Sequence, residues 1–169
     1  MKRITLPLLA FLLLFSACGL PQVKDMEWLD SSEEPVWIYN EEAAERYFLW
    51  NGKTELVVQS FPNELDDNYT TERLSARDIA TGKTVWIAET SYCPEGGKTF
   101  RLEILSDTQI LYKKIDLDGG PDEYYFYDHE TGKSIRVADD PSRQDLYKWL
   151  FKNAPTLAER FLKQNTVQE

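Results

Sequence analysis

From Trp37 to Ala138 the chain breaks into short apolar runs separated by turn residues, and it reads mostly as strands. Tyr47-Phe48-Leu49-Trp50 and the run from Lys53 to Val58 flank Asn51-Gly52. That dipeptide supplies the two positive φ angles of a type I′ turn, so the spacing predicts a hairpin. Further strands are predicted over Trp37 to Tyr39, Glu72 to Arg77, Val85 to Ala88, Phe100 to Leu105, Gln109 to Ile115, Glu123 to Tyr127 and Ile135 to Ala138. In the run ending at Tyr127, Tyr124 and Phe126 face one way, Tyr125 and Tyr127 the other. Both faces are aromatic, so both are expected to be covered.

The period changes near the end. Asp140-Pro141 predicts a helix start, with Leu146, Trp149 and Leu150 on one face. Pro155 interrupts it. Thr156-x-x-Glu159 has the form of a capping box, predicting a second helix with Leu157, Phe161 and Leu162 on its apolar face. The expected fold is α+β: a mainly antiparallel meander or sandwich of about eight or nine strands, with two C-terminal helices packed on an open sheet face.

Two turns share one pattern. Asp78-Ile79-Ala80-Thr81-Gly82-Lys83-Thr84 and Asp128-His129-Glu130-Thr131-Gly132-Lys133-Ser134 both read Asp-x-x-Thr-Gly-Lys-(Ser/Thr), about fifty residues apart. The Asp can accept from amides ahead of it, and the Gly takes the left-handed position. Acidic loops recur at the same offset, around Glu64 to Asp67 and Asp116 to Glu123. The turn resembles those in the blades of bacterial quinoprotein-like propellers. Two copies cannot close a propeller, so the repeat points to a meander or sandwich.

The first residues carry a different message. Lys2 and Arg3 precede an apolar run from Ile4 to Phe15, then Ser16-Ala17-Cys18-Gly19. This is the layout of a secretory signal, and it is too short for a spanning helix. Phe15-Ser16-Ala17-Cys18 resembles the lipobox of bacterial lipoproteins, with Phe15 where Leu is usual. The resemblance implies cleavage before Cys18 and acylation of its sulfur. Each buried methylene then contributes about 0.8 kcal/mol to membrane retention. Gly19, in place of the Asp that commonly retains such proteins in the inner membrane, implies the outer membrane facing the periplasm. The expected organisation is a signal over residues 1–17, a lipidated cysteine and acidic tether over 18–34, and one β-rich domain over 35–169 with helices from about 141. Met26, Trp28 and Leu29 break the polarity of the tether.

Charge narrows the partners. The chain holds 19 basic and 29 acidic residues; loss of Lys2 and Arg3 leaves 17 against 29, a formal charge of −12. Such a surface repels nucleic acid and attracts basic proteins or cations. Acylation of Cys18 leaves Cys93 without a disulfide partner in the chain.

The candidate chemistry is sparse. Gly-Lys-(Ser/Thr) occurs at Gly52, Gly82, Gly97 and Gly132, but a phosphate loop needs a Gly five places earlier, where Tyr47, Arg77, Tyr92 and Tyr127 stand. These triplets therefore read as hairpin turns, and no nucleotide is expected. Asp116, Asp118, Asp122 and Glu123 resemble half a calcium loop, but Gly120 and Pro121 break the EF-hand pattern. They form the candidate metal site. His129 is the one histidine, and zinc sites use several His or Cys. A Cys93/His129 nucleophile pair is conceivable, but nothing in the sequence orients His129. Trp37, Trp50 and Trp86 are candidates for stacking on a glycan, although large aromatics on strands are more often core.

The expected function is therefore binding: a lipid-anchored envelope protein that neutralises a basic toxin or enzyme, as immunity lipoproteins do, or serves as an accessory subunit. Glu64, Asp66 and Asp67 are the candidate acidic contact loop. A small envelope hydrolase, or a glycan- or calcium-binding lipoprotein, is the opposing reading. No resident cofactor is expected.

Overall fold

The computed structural model describes residues 36–164. The predicted signal, Cys18 and the tether lie outside these described residues. Nine strands and then two helices follow in chain order. The strands are β1 (Ile38–Asn40), β2 (Glu45–Leu49), β3 (Thr54–Pro62), β4 (Thr70–Asp78), β5 (Thr84–Cys93), β6 (Gly96–Leu105), β7 (Gln109–Asp116), β8 (Glu123–Asp128) and β9 (Lys133–Asp139). The helices are α1 (Arg143–Asn153) and α2 (Pro155–Gln164). Each strand pairs antiparallel with the next, so the order is an unbroken meander. The expected α+β, mainly antiparallel fold is what the structure has.

The meander folds over on itself at one joint. β5 and β6 pair only through Tyr92 with Gly97 and Cys93 with Gly96. Beyond that joint β1–β5 and β6–β9 separate into two sheets. Leu56, Val58, Leu74 and Ala76 of the first sheet share one core with Phe100, Leu102, Ile110, Tyr112 and Tyr127 of the second. A second core lies on the far side of β6–β9, where Ile104, Leu111, Tyr124 and Phe126 meet Leu146, Leu150, Leu157 and Phe161 of the helices. The layers therefore run first sheet, second sheet, helices. β8 is covered on both faces, as its two aromatic pairs predict.

The fifty-residue repeat is structural. β2–β5 and β6–β9 are successive four-stranded meanders, and the shared turn closes the last hairpin of each. Asp78 Oδ1 accepts from the Thr81 amide and hydroxyl at 2.8 and 2.6 Å. Asp128 Oδ1 does the same with Thr131 at 2.9 and 3.0 Å. Gly82 and Gly132 take φ of 68° and 67°.

Several local expectations change. The Asn51-Gly52 hairpin forms, but not as a type I′ turn: Gly52 has φ 77°, while Asn51 is not among the residues with positive φ. Asn51 Oδ1 instead accepts from the amides of Lys53 and Thr54 at 3.2 and 3.0 Å, and Trp50 N–H bonds Thr54 C=O at 2.8 Å. That side-chain bond makes a three-residue loop. β5 extends to Cys93, five residues past Ala88, because the strand continues through Tyr92 into the β5–β6 joint. Cys93 thus ends β5, and Gly96-Gly97 open β6. α1 begins after Ser142, whose hydroxyl caps the Asp145 amide at 3.1 Å, so Pro141 precedes the cap. α2 begins at Pro155, with Ala158 N–H bonding Ala154 C=O. The Thr156 capping box therefore lies inside the helix: Pro155 already fits its first turn and needs no donor there.

A lysine holds the sheets where they part. Lys114 of β7 donates to Glu89 C=O at 2.7 Å and lies over the rings of Phe100 and Tyr125, at 5.9 and 5.3 Å. Burial lowers its pKa.

Glu103 occupies the bulge between Leu102 and Ile104 and is 4% exposed. Lys113 Nζ and Arg101 Nε each stand 3.7 Å from its Oε1. Burial raises its pKa by more than those cations lower it. An acid raised in the folded state contributes stability that is full below its ordinary value of 4.5 and is lost as pH rises. Glu103→Gln is therefore expected to become more favourable, relative to the native chain, between about pH 4 and pH 7. Denaturant melts at both pH values check this; a constant difference contradicts it.

Candidate functional site

With helices covering the second sheet, no described element covers the outer face of the first sheet. Register places Ile38, Tyr47, Val57, Ser75 and Trp86 side by side across β1–β5. Leu56 and Leu74 point into the inter-sheet core, so their neighbours Val57 and Ser75 point outward. Yet each of these two is only 2% exposed. A cladding of larger side chains covers them.

That cladding alternates rings and guanidinium groups. Arg73 lies over both Phe61 and Trp86, at 5.0 and 5.2 Å. Glu89 Oε2 holds it through Nε and Nη2 at 3.0 and 2.6 Å. Arg77 lies over Tyr47 at 5.5 Å and is held by Glu45 and Glu55. The Glu45 hydrogen bond raises its pKa despite partial burial. The Arg73–Glu89 pair is partly exposed and adds little stability, whereas Glu45 is buried against Arg77. Their effect is order: Arg73 is fixed between two rings and Arg77 over one. Trp86 ends the row and is 62% exposed. Aromatic residues and Arg are the types enriched at the centres of protein interfaces.

One end of this face is acidic. The β3–β4 loop carries Glu64, Leu65, Asp66 and Asp67, and Leu65 is 96% exposed. The loop is braced. Asn63 Oδ1 accepts from Leu65 N–H at 2.9 Å, Asp66 Oδ1 from Asn68 N–H at 3.0 Å, and Asn63 N–H bonds Tyr69 C=O at 2.9 Å. Tyr69 reaches the joint, where the charge of Cys93 and a hydrogen bond to it raise the phenol pKa. The predicted contact loop is thus an apolar tip among three carboxylates.

No protein-family model matches the chain, and no curated protein and no solved structure matches it.

The predicted metal residues sit in the β7–β8 region, but each carboxylate has a partner within the protein. Glu123 Oε1 accepts from Lys98 Nζ at 3.0 Å and Arg136 Nη2 at 3.2 Å, and its Oε2 accepts from Tyr125 OH at 2.8 Å. Burial alone would raise the Glu123 pKa; these donors outweigh it and lower it. The same burial and hydrogen bond push the Tyr125 phenol up to about 12. Asp122 accepts from Lys113 at 2.7 Å. Asp116 faces Lys98 at 3.6 Å, and Asp118 accepts from Gly97 N–H at 3.0 Å. Among the described residues no group of three or more His, Cys, Asp or Glu is arranged to hold a metal ion. The loop works as a clasp on the β5–β6 joint.

Cys93 and His129 are far apart. Cys93 pairs with Gly96 at the start of β6, whereas His129 N–H bonds Thr108 C=O just past its end. The ten residues of β6 span about 30 Å. His129 packs edge-on against Trp50. Of the three tryptophans, Trp37 packs on Phe48 at 4.9 Å and Trp50 donates to Ser106 C=O at 2.6 Å. Trp86 alone of the three is exposed. The Gly-Lys-(Ser/Thr) glycines Gly52, Gly82 and Gly132 lie in hairpin turns and Gly97 at the start of β6; none opens a helix.

Sequence reasoning missed Tyr47, Phe61, Arg73 and Arg77 as surface partners. A signal existed: Glu72-Arg73-Leu74-Ser75-Ala76-Arg77 alternates, which puts both arginines on the face opposite Leu74.

Proposed function

We propose that this chain is an exported, lipid-anchored binding protein that docks a basic protein of the cell envelope, as an inhibitor or as an accessory subunit. The observation that carries the reading is the open face of β1–β5, where Tyr47, Phe61 and Trp86 interleave with the fixed arginines Arg73 and Arg77. A flat surface suits a protein better than a small molecule, which prefers a concave site. The acidic loop at one end, with Glu64, Asp66 and Asp67, favours a positively charged counterpart and speeds the encounter. The lipobox-like Phe15-Ser16-Ala17-Cys18 supports the anchor and the envelope location.

The anchor has its own test. Cys18→Ala is expected to abolish incorporation of labelled fatty acid and to move the protein from the membrane to the soluble fraction. Unchanged labelling contradicts the assignment. For the partner, gentle detergent extraction and capture through this chain should recover one basic protein in stoichiometric amount at low salt and less of it at high salt, because rim charges are screened. Recovery that does not change with salt argues against the acidic rim.

A further inference from the structure

The β3–β4 loop carries the one Asn-x-(Ser/Thr) triplet in the sequence, Asn68-Tyr69-Thr70. Such a triplet is an acceptor for an N-linked glycan where an exported protein presents it on a surface loop. Export rests on the reading proposed above; the surface loop is observed. We infer that Asn68 is an acceptor for an oligosaccharide.

The neighbouring loop asparagines serve the fold. Asn51 donates from Nδ2 to Asp107 C=O at 2.8 Å and accepts from the amides of Lys53 and Thr54. Asn63 is half-buried and donates from Nδ2 to Thr71 Oγ1 at 3.1 Å. Asn68 is exposed and sits in a turn that Tyr69 N–H closes onto Asp66 C=O at 3.0 Å. Its Nδ2 donates to Asp66 Oδ1 at 2.9 Å, a contact made within the loop. The Asn68 side chain can therefore turn toward an enzyme without breaking a tie between strands. Residues 64–69 are all exposed. Exposed loop tips are where enzymes reach a folded chain. Thr70, at the start of β4 and partly exposed, supplies the hydroxyl that completes the triplet.

In the transfer, Asn68 Nδ2 attacks the anomeric carbon of a sugar carried on a polyprenyl diphosphate. The C–N bond forms as the bond from that carbon to the diphosphate oxygen breaks. The nitrogen gives up one proton, and polyprenyl diphosphate leaves. A membrane oligosaccharyltransferase catalyses the step, so this chain is its substrate. An amide nitrogen is a weak nucleophile, because its lone pair is shared with the carbonyl. The Asp66 carboxylate accepts one of its protons, which returns electron density to the nitrogen. A glycan on Asn68 stands in the acidic loop and limits how much of that rim a partner reaches.

The test is the mass of one peptide. The full chain is purified from the cells that naturally produce it and cut with trypsin. The peptide over residues 54–73 is then fragmented with any glycan retained. A mass increment made of sugar residues is expected on Asn68. Asn68→Gln and Thr70→Ala should remove it, and Thr70→Ser should keep it. Asp66→Ala, at an exposed position, should lower occupancy about threefold or more. A bare peptide, a sugar on one of its hydroxyls in place of Asn68, or a sugar that survives Asn68→Gln overturns the inference. Unchanged occupancy in Asp66→Ala overturns the role given to that acid. If the chain takes up labelled fatty acid and captures its partner but the peptide is bare, the glycan site fails and the proposed function stands. If Asn68 carries a glycan and no basic protein is captured, docking fails and the glycan site stands.

Discussion

Trp86→Ala is expected to weaken partner docking by about thirtyfold or more while leaving the fold intact. A hot-spot interface tryptophan costs about 2 kcal/mol or more when truncated, and 1.4 kcal/mol is tenfold in affinity. Trp86 ends the apolar row and forms one wall of the slot that holds Arg73. Its removal takes away contact area and leaves the guanidinium between Phe61 and solvent. Because Trp86 is largely exposed, the change in stability should stay within about 0.5 kcal/mol. Phe151→Ala is the matched control: Phe151 is 55% exposed on the helical side and should not affect docking. Affinity by capture from solubilised membranes and melting of the three chains check this. Equal capture by the native chain and Trp86→Ala removes the open face from consideration.

Gly97→Ala is expected to cost about 3 kcal/mol or more, a large share of the stability of an ordinary domain. Gly97 has φ +103°, a conformation that L side chains rarely adopt. A Cβ there would stand 2.5 Å from Tyr92 Cα and 2.6 Å from Ser91 O, backbone atoms that cannot swing aside. The position matters because Gly97 makes half of the β5–β6 pairing that joins the two sheets. Its amide donates to Asp118, and its carbonyl accepts from Leu117 N–H at 2.8 Å. The two sheets should then lose their common joint, with Lys114 left as a tie between them. Gly82→Ala, with φ +68° but open space around it, should cost about 1–2 kcal/mol. Denaturant unfolding of both variants ranks them, and a Gly97→Ala chain as stable as Gly82→Ala contradicts the role given to the joint.

The strands were legible because their residues obey short-range rules. Turn residues mark the hairpins, and the aromatic alternation of Tyr124 to Tyr127 forecasts cores on both sides. The Asp-x-x-Thr-Gly-Lys turns revealed the repeat, since one carboxylate oxygen serving the Thr amide and hydroxyl is a local device. What stayed hidden depends on pairs distant in sequence. Arg73 meets Glu89 and Arg77 meets Glu45 across strands, and only register brings them together. The acids at Asp116, Asp118, Asp122 and Glu123 suggested a cation from spacing alone. In the structure these acids meet Lys98, Lys113, Arg136 and the Gly97 amide, contacts that depend on strand pairing. Two apparent helix starts, Pro141 and Thr156, each lie one residue from the actual one: the Ser142 hydroxyl caps the Asp145 amide, and Pro155 is the first residue of α2.

The open face is tested most directly by photocross-linking in intact cells. A photoreactive phenylalanine is placed at position 86, and in a second chain at position 151. The account predicts a single adduct with one basic envelope protein from position 86, and none from position 151. No adduct from position 86, or the same adducts from both positions, contradicts it.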